Sequence, residues 1–134
     1  MPKDHKKFLK EYEKNLLGSN ERWPKDVNRV LNLLNDAVFQ QTVAISKILN
    51  QSHVYSKNFS SKFKFYIGHT PKSYITHHRL EAAKFIFNNY KLKDIKVSEI
   101  GFCIGYRSHA SFSAAFKSYV GISPSSYLME LKIK

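Results

Sequence analysis

Apolar residues recur at every fourth position through 59–67, where Phe59, Phe63 and Ile67 line one stripe of a helix that must be buried. Gly68 supplies the left-handed residue that closes a helix. Thr70 is a good N-cap and Pro71 suits a first helical position, so a new helix is expected from residue 71. The same devices return at Phe112, Phe116 and Val120, closed by Gly121 and reopened by Ser123 and Pro124. Ahead of each stripe lies a shorter helical pattern. Residues 42–51 space Ile45, Ile48 and Leu49 behind a Thr42 cap, and 94–106 space Val97, Ile100 and Ile104 behind Asp94, with Ser108 placed to cap the next helix. Between the two, 72–89 carry Tyr74, Ile75, Leu80, Ala82, Ala83, Ile86 and Phe87 without a breaker, a helix about 27 Å long.

The two stripes belong to one sentence written twice. Residues 59–74, FSSKFKFYIGHTPKSY, and residues 112–127, FSAAFKSYVGISPSSY, both fit FxxxFxxxxGxxPxxY without a gap, 53 positions apart. Tyr74 and Tyr127 sit three residues past the prolines and are expected to pack back over each stop. A short helix, a tight turn and a second helix, twice over, is the helix-turn-helix plan. A further amphipathic helix is expected at 5–18, with Phe8, Tyr12 and Leu16 on one stripe, Leu9 and Leu17 beside it, and Gly18 as a stop. It has three open readings: docked on the domain, dimerising, or left over from a linker.

Charge by itself names no partner, but together with the duplication it points to a class. The chain has 134 residues, of which 43% are hydrophobic and 14% aromatic, enough for a packed interior. Its net charge is +12, and the excess is uneven: residues 1–22 carry +2, 23–39 are neutral, and 40–134, where the duplication lies, carry +10. Nucleic acid is the leading polyanion for such a surface. An anionic membrane comes second, and it lacks the polybasic run beside an exposed apolar helix face that it needs. No apolar run approaches a membrane span, and the first residues lack the apolar core of a signal peptide, so a cytoplasmic protein is expected. Cys103 is the one cysteine, which excludes a disulfide framework and a cysteine-rich zinc site.

Residues 97–127, VSEIGFCIGYRSHASFSAAFKSYVGISPSSY, resemble the second helix-turn-helix signature of AraC/XylS-type transcription regulators. The first copy and the following YITHHRLEAAKFI are similar to that family's first unit and connecting helix, so the likeness covers residues 24–128. It implies an all-α, seven-helix domain: two homeodomain-like helix-turn-helix subdomains joined by a long connecting helix. The divisions expected are an N-terminal helix or linker remnant at 1–22 and the DNA-binding domain at 23–134, itself split into 23–70, 71–90 and 91–134. The implied function is sequence-specific regulation of transcription in the bacterial cytoplasm, with one recognition helix in each of two consecutive major grooves of double-stranded DNA. Adjacent grooves recur at about 34 Å. RNA polymerase and a regulatory or sensor domain are further partners the resemblance suggests, without cofactor, metal or membrane. The rival reading, from another class, is a helical module that keeps this fold and binds a partner protein.

The buried stripes choose the outer residues. With Phe59, Phe63 and Ile67 inward, Lys57, Ser60, Ser61 and Lys64 face out, with Asn58 at the margin; with Phe112, Phe116 and Val120 inward, His109, Ala110, Ser113, Ala114 and Lys117 face out. The resemblance assigns base-facing roles to Ser56, Lys57, Ser60 and Ser61 in the first helix and to His109, Ala110, Ser113 and Ala114 in the second. Lys117 is placed for a phosphate, and Ser108, at the helix start, completes the DNA-binding set. Neither recognition helix offers an arginine for a bidentate guanine contact, since Ala114 stands where the family commonly has one. Gly101 replaces the family's usual alanine at the helix contact, at an expected cost of roughly 1 kcal/mol in helix propensity, which would leave the second unit the less stable.

Other chemistry finds no apparatus. His77 and His78 are neighbours and point about 100° apart on a helix, so they cannot chelate one ion together. Glu81 and Glu99 stand alone, without a second carboxylate or an activated nucleophile, and no glycine-rich phosphate loop is present, so an enzyme is not expected. Arg79 is expected to fix the long helix through an internal hydrogen bond, and Cys103 to be a small buried hydrophobe.

Overall fold

A computed structural model of the chain describes residues 3–41, 45–51, 58–90 and 95–133. Among these residues the regular structure is helical: α1 (Lys3–Tyr12), α2 (Lys25–Ala37), α3 (Ile45–Gln51), α4 (Phe59–Ile67), α5 (Pro71–Tyr90), α6 (Val97–Cys103), α7 (His109–Val120) and α8 (Pro124–Ile133), with a 3-10 turn at Glu13–Asn15. The expected caps Thr42 and Asp94 lie outside the described residues. The chain divides into two compact units: one of residues 16–38 and 42–78, the other of 1–15, 39–41 and 79–134. α5 begins in the first and ends in the second without a break.

In the unit holding α2 to α4, the apolar positions Val27, Val30, Leu31 and Leu34 follow the i, i+3, i+4, i+7 spacing of a helix face and are fully buried. α3 adds Ile48 and α4 adds Phe59 and Phe63. Phe63 meets Tyr74 edge-on, with centroids 6.4 Å apart and planes at 83°. Tyr74 is 1% exposed, and its hydroxyl is fully used: it donates to Asn35 Oδ1 at 2.6 Å and accepts from the Leu17 N–H at 3.1 Å. Asn35 Nδ2 in turn donates to the Leu17 carbonyl at 2.8 Å.

The unit holding α6 to α8 repeats this packing. Phe112 and Phe116 are buried, and Phe116 meets Tyr127 at 5.5 Å and 73°. Leu80, Ala82, Ala83, Ile86 and Phe87 of α5 and Ile100, Cys103 and Ile104 around α6 close the core. Burial pushes the Cys103 thiol up to about 11, as suits an inert apolar residue. α1 docks on this unit, with Phe8 edge-on to Tyr90 at 5.1 Å and Tyr12 against Phe39 and Phe85. Its α-helix gives way after Tyr12 to the 3-10 turn Glu13–Asn15, short of Gly18, and beyond that turn the Leu17 backbone bonds to Asn35 and Tyr74 and not along a helix. The pattern gave no notice of His5, which is 2% exposed; its Nδ1 shares a hydrogen bond with the Tyr90 hydroxyl at 2.8 Å.

Both stops are built alike. Gly68 and Gly121 take φ of +93° and +101°, and each N–H bonds back to the carbonyl of Lys64 or Lys117 at 2.8 Å. Thr70 and Ser123 then cap the following helices, accepting from the N–H of Ser73 at 3.2 Å and of Ser126 at 3.1 Å. Ile67 and Val120, expected inside, are only half-buried at these ends.

Gly101 is where the expectation changes. A Cβ there would come within 2.7 Å of the Phe112 ring, which is itself completely buried and has nowhere to move. The missing methyl is therefore a packing requirement of this α6–α7 contact. Gly101→Ala is expected to destabilise the protein by about 1–2 kcal/mol net, because an overpacking cost of about 2–3 kcal/mol outweighs the roughly 1 kcal/mol gained in helix propensity. Urea unfolding checks this, and a midpoint at or above that of the parent would mean that Phe112 can yield.

Candidate nucleic-acid interface

The two second helices of the repeated plan, α4 and α7, carry the candidate residues. Burying Phe59 and Phe63 turns the opposite arc of α4 outward, and Ser60, Ser61 and Lys64 are all exposed. Asn58 is exposed at the N-cap position, where its side chain makes no capping bond. Ser56 and Lys57, the other two candidates of this helix, lie outside the described residues. Lys62, on the flank, is tied to Asp26 of α2 by a 3.0 Å ion pair that fixes α4 against its support.

On α7, His109, Ala110, Ala114 and Lys117 are exposed and Ser113 is half-exposed. The duplication extends to this outer face: 53 residues separate Ser60 from Ser113 and Lys64 from Lys117, so each helix presents a serine and, one turn on, a lysine at the same places. His109 Nε2 and Ser113 Oγ lie 3.3 Å apart and share a hydrogen bond, so each has partly committed polar groups. Ser108 is engaged differently from its neighbours. Its Oγ accepts from the Ser111 N–H at 3.1 Å and donates to Ser111 Oγ at 2.9 Å, which makes it the N-cap of α7.

Behind α7, Arg79 of α5 sets the entering turn. Its Nη2 donates to the Gln40 carbonyl at 2.6 Å, and its guanidinium lies 5.3 Å from the centre of the Tyr106 ring. A Cβ on Gly105 would meet that guanidinium at 2.7 Å. The internal role expected of Arg79 is the one it has. Tyr119, on the flank of α7, donates to Glu81 at 2.6 Å, and Lys84 pairs with the same carboxylate at 3.2 Å. Burial and the Glu81 carboxylate together raise the Tyr119 phenol above its ordinary range, so it remains a donor. Tyr119 was not foreseen, because its partner is 38 residues away in sequence.

His69 follows the Gly68 stop at the exit of α4, and its ring stacks on that of His77 at 4.6 Å. Burial, His77 and Lys64 together lower its pKa. The folded protein thus binds this proton less readily than the unfolded chain, so stability declines slightly as pH falls from about 6.5 down through the lower folded-state value. His78 packs on Tyr74 at 4.6 Å and stands edge-on to His77 at 4.9 Å. Among the described residues no three His, Cys, Asp or Glu side chains cluster to hold a metal ion, and no helix is long and apolar enough to cross a membrane.

Residues 48–130 match the family described as "Helix-turn-helix domain", which includes both repeats and the helix between them. The chain belongs to the AraC-type helix-turn-helix family. Over 88 residues this AraC-type chain is 27% identical to a probable transcriptional regulator, LumQ, of Photobacterium leiognathi, a match covering 66% of the chain and 34% of LumQ. Over 70 residues it is 37% identical to an uncharacterized helix-turn-helix-type transcriptional regulator of Haemophilus influenzae, covering 52% of the chain and 22% of that protein. It therefore spans well under half the length of either relative. The DNA-binding domain of AdpA, a global transcriptional factor solved with a target DNA, superposes with a TM-score of 0.67 at 16% identity, over 82% of this chain and 96% of that one; the likeness is one of fold.

The Ser108 cap yields a test within this AraC-type unit. Ser108→Ala is expected to cost about 1 kcal/mol by leaving the Ser111 N–H without its acceptor, and Ser108→Asp to recover most of it. Thermal unfolding monitored by helical circular dichroism measures both, and an unchanged Ser108→Ala transition would remove the hydroxyl from the cap.

Proposed function

We propose that this chain is the DNA-binding part of a bacterial transcription regulator, and that the outer arcs of α4 and α7 read successive major grooves of one operator. The observation that carries the reading is the duplicated outer face, a serine followed by a lysine one turn later on each helix, behind which the same pair of phenylalanines is buried. A helix in a major groove reaches base edges mainly from its N-terminal turns, while lysines nearer its end can meet phosphates. In this reading Asn58, Ser60 and Ser61, with Ser56 and Lys57 ahead of them, face bases in one groove, and His109, Ala110, Ser113 and Ala114 face bases in the other. Lys64 and Lys117 hold the backbone at equivalent points.

Small side chains dominate both faces. Serine bonds to either kind of base and alanine offers only a methyl, so direct discrimination is modest and most of the affinity comes from charge. The residue charge of +10 across 40–134 suits that division. A DNA-reading role places the chain in the cytoplasm, and membership of the AraC-type family motivates RNA polymerase and a separate sensory domain as its working partners.

Gel-shift titrations at several salt concentrations provide the test. Binding is expected to weaken steeply with salt, and Lys64→Ala and Lys117→Ala are each expected to flatten the slope of log K against log salt by about 1 while leaving sequence preference unchanged. A wild-type slope near zero would contradict DNA binding and favour a protein partner for the same surface.

A further inference from the structure

Phe65 is a large apolar residue on α4 that the DNA-reading role leaves unexplained. It is 80% exposed on α4, in a chain whose other α4 phenylalanines are buried. Two residues beyond Phe63, it points about 200° round the helix from the core. It therefore continues the outer arc one turn beyond Ser61, directly after Lys64. The ring of Tyr66 stands edge-on to it at 4.9 Å and 83°, which restricts the Phe65 ring without covering it. The duplicated position on α7 is Ser118, so the aromatic is a property of the first helix alone.

We propose that Phe65 is a specificity residue, whose ring takes the C5-methyl group of a thymine at the edge of the groove read by α4. The inference rests on the DNA-reading function of α4 argued above. The thymine methyl is the one apolar feature a base pair presents in the major groove, and a phenylalanine side chain is among the groups that contact it. Lys64 beside the ring favours a polyanionic partner. Two copies of this surface brought together would set the exposed Lys64 of each against the other's, which disfavours a self-association role. The contact makes the two half-sites unequal: a thymine is demanded where α4 binds, whereas the hydroxyl of Ser118 makes no such demand where α7 binds.

The test begins with selection of a binding site from random duplexes by the intact chain, after which each thymine is replaced singly by deoxyuridine, which removes only the methyl. At one thymine in the α4 half, the replacement is expected to weaken wild type by about four-fold, the worth of one buried methyl. Phe65→Ala is expected to bind the parent duplex at least about four-fold more weakly than wild type, to be indifferent to that replacement, and to melt at the wild-type temperature. Phe65→Leu, which keeps an apolar side chain, is expected to retain part of the sensitivity. The proposal is overturned if no thymine shows this behaviour, if Phe65→Ala selects the wild-type motif with undiminished affinity, or if its main effect is to dissociate a dimer in sedimentation. Failure of wild type to select any duplex would instead sink the reading of α4 as a DNA-binding helix, and this proposal with it.

Discussion

Burial of two phenylalanines four residues apart decides which way α4 and α7 each face. Phe59 and Phe63 on α4, and Phe112 and Phe116 on α7, are removed from solvent almost completely, and each buried ring of this size is worth several kcal/mol to a domain of marginal stability. Once those rings are inside, the arc carrying Ser60, Ser61 and Lys64, or Ser113, Ala114 and Lys117, has no choice but to face out. The rest of each unit serves that orientation. Tyr74 and Tyr127 seal the second ring of each pair, the left-handed glycines end the helix so that its exit is free, and α2 or α6 backs the stripe.

This dependence explains why so much could be read from sequence. Local devices were legible because they are chemically exclusive: a glycine at positive φ, a threonine or serine three residues ahead of the N–H it caps, a proline at a helix start. Phe59, Phe63, Phe112 and Phe116 followed from spacing. What escaped notice depends on residues far apart in the chain. Asn35 and Tyr74 hold the Leu17 backbone, the buried His5 meets Tyr90 across 85 positions, and Tyr119 finds Glu81. Periodicity carries no information about such pairs. Gly101 shows the same limit from another side, since helix propensity marks it as a cost while the Phe112 ring above it makes it a requirement.

The candidate site was legible in outline for a related reason. Outer faces are defined by what they are not, so once the inward stripe is known, Ser60, Ser61, Lys64, His109, Ala110, Ala114 and Lys117 follow. Ser108 was placed by the same pattern as a cap, and the cap is where its hydroxyl is spent. Phe65 illustrates what an outline leaves out: it shares the residue type of the core and the position of the surface, and only its exposure separates the two.

The central claim is that DNA touches the outer arcs of both α4 and α7. Amide shifts of the isotopically labelled chain, followed by NMR as a selected duplex is added, test it most directly. The account predicts that the largest changes fall on residues 58–65 and 108–117, with the docked face of α1 little affected. Changes confined to α1, or to one recognition helix alone, would contradict it.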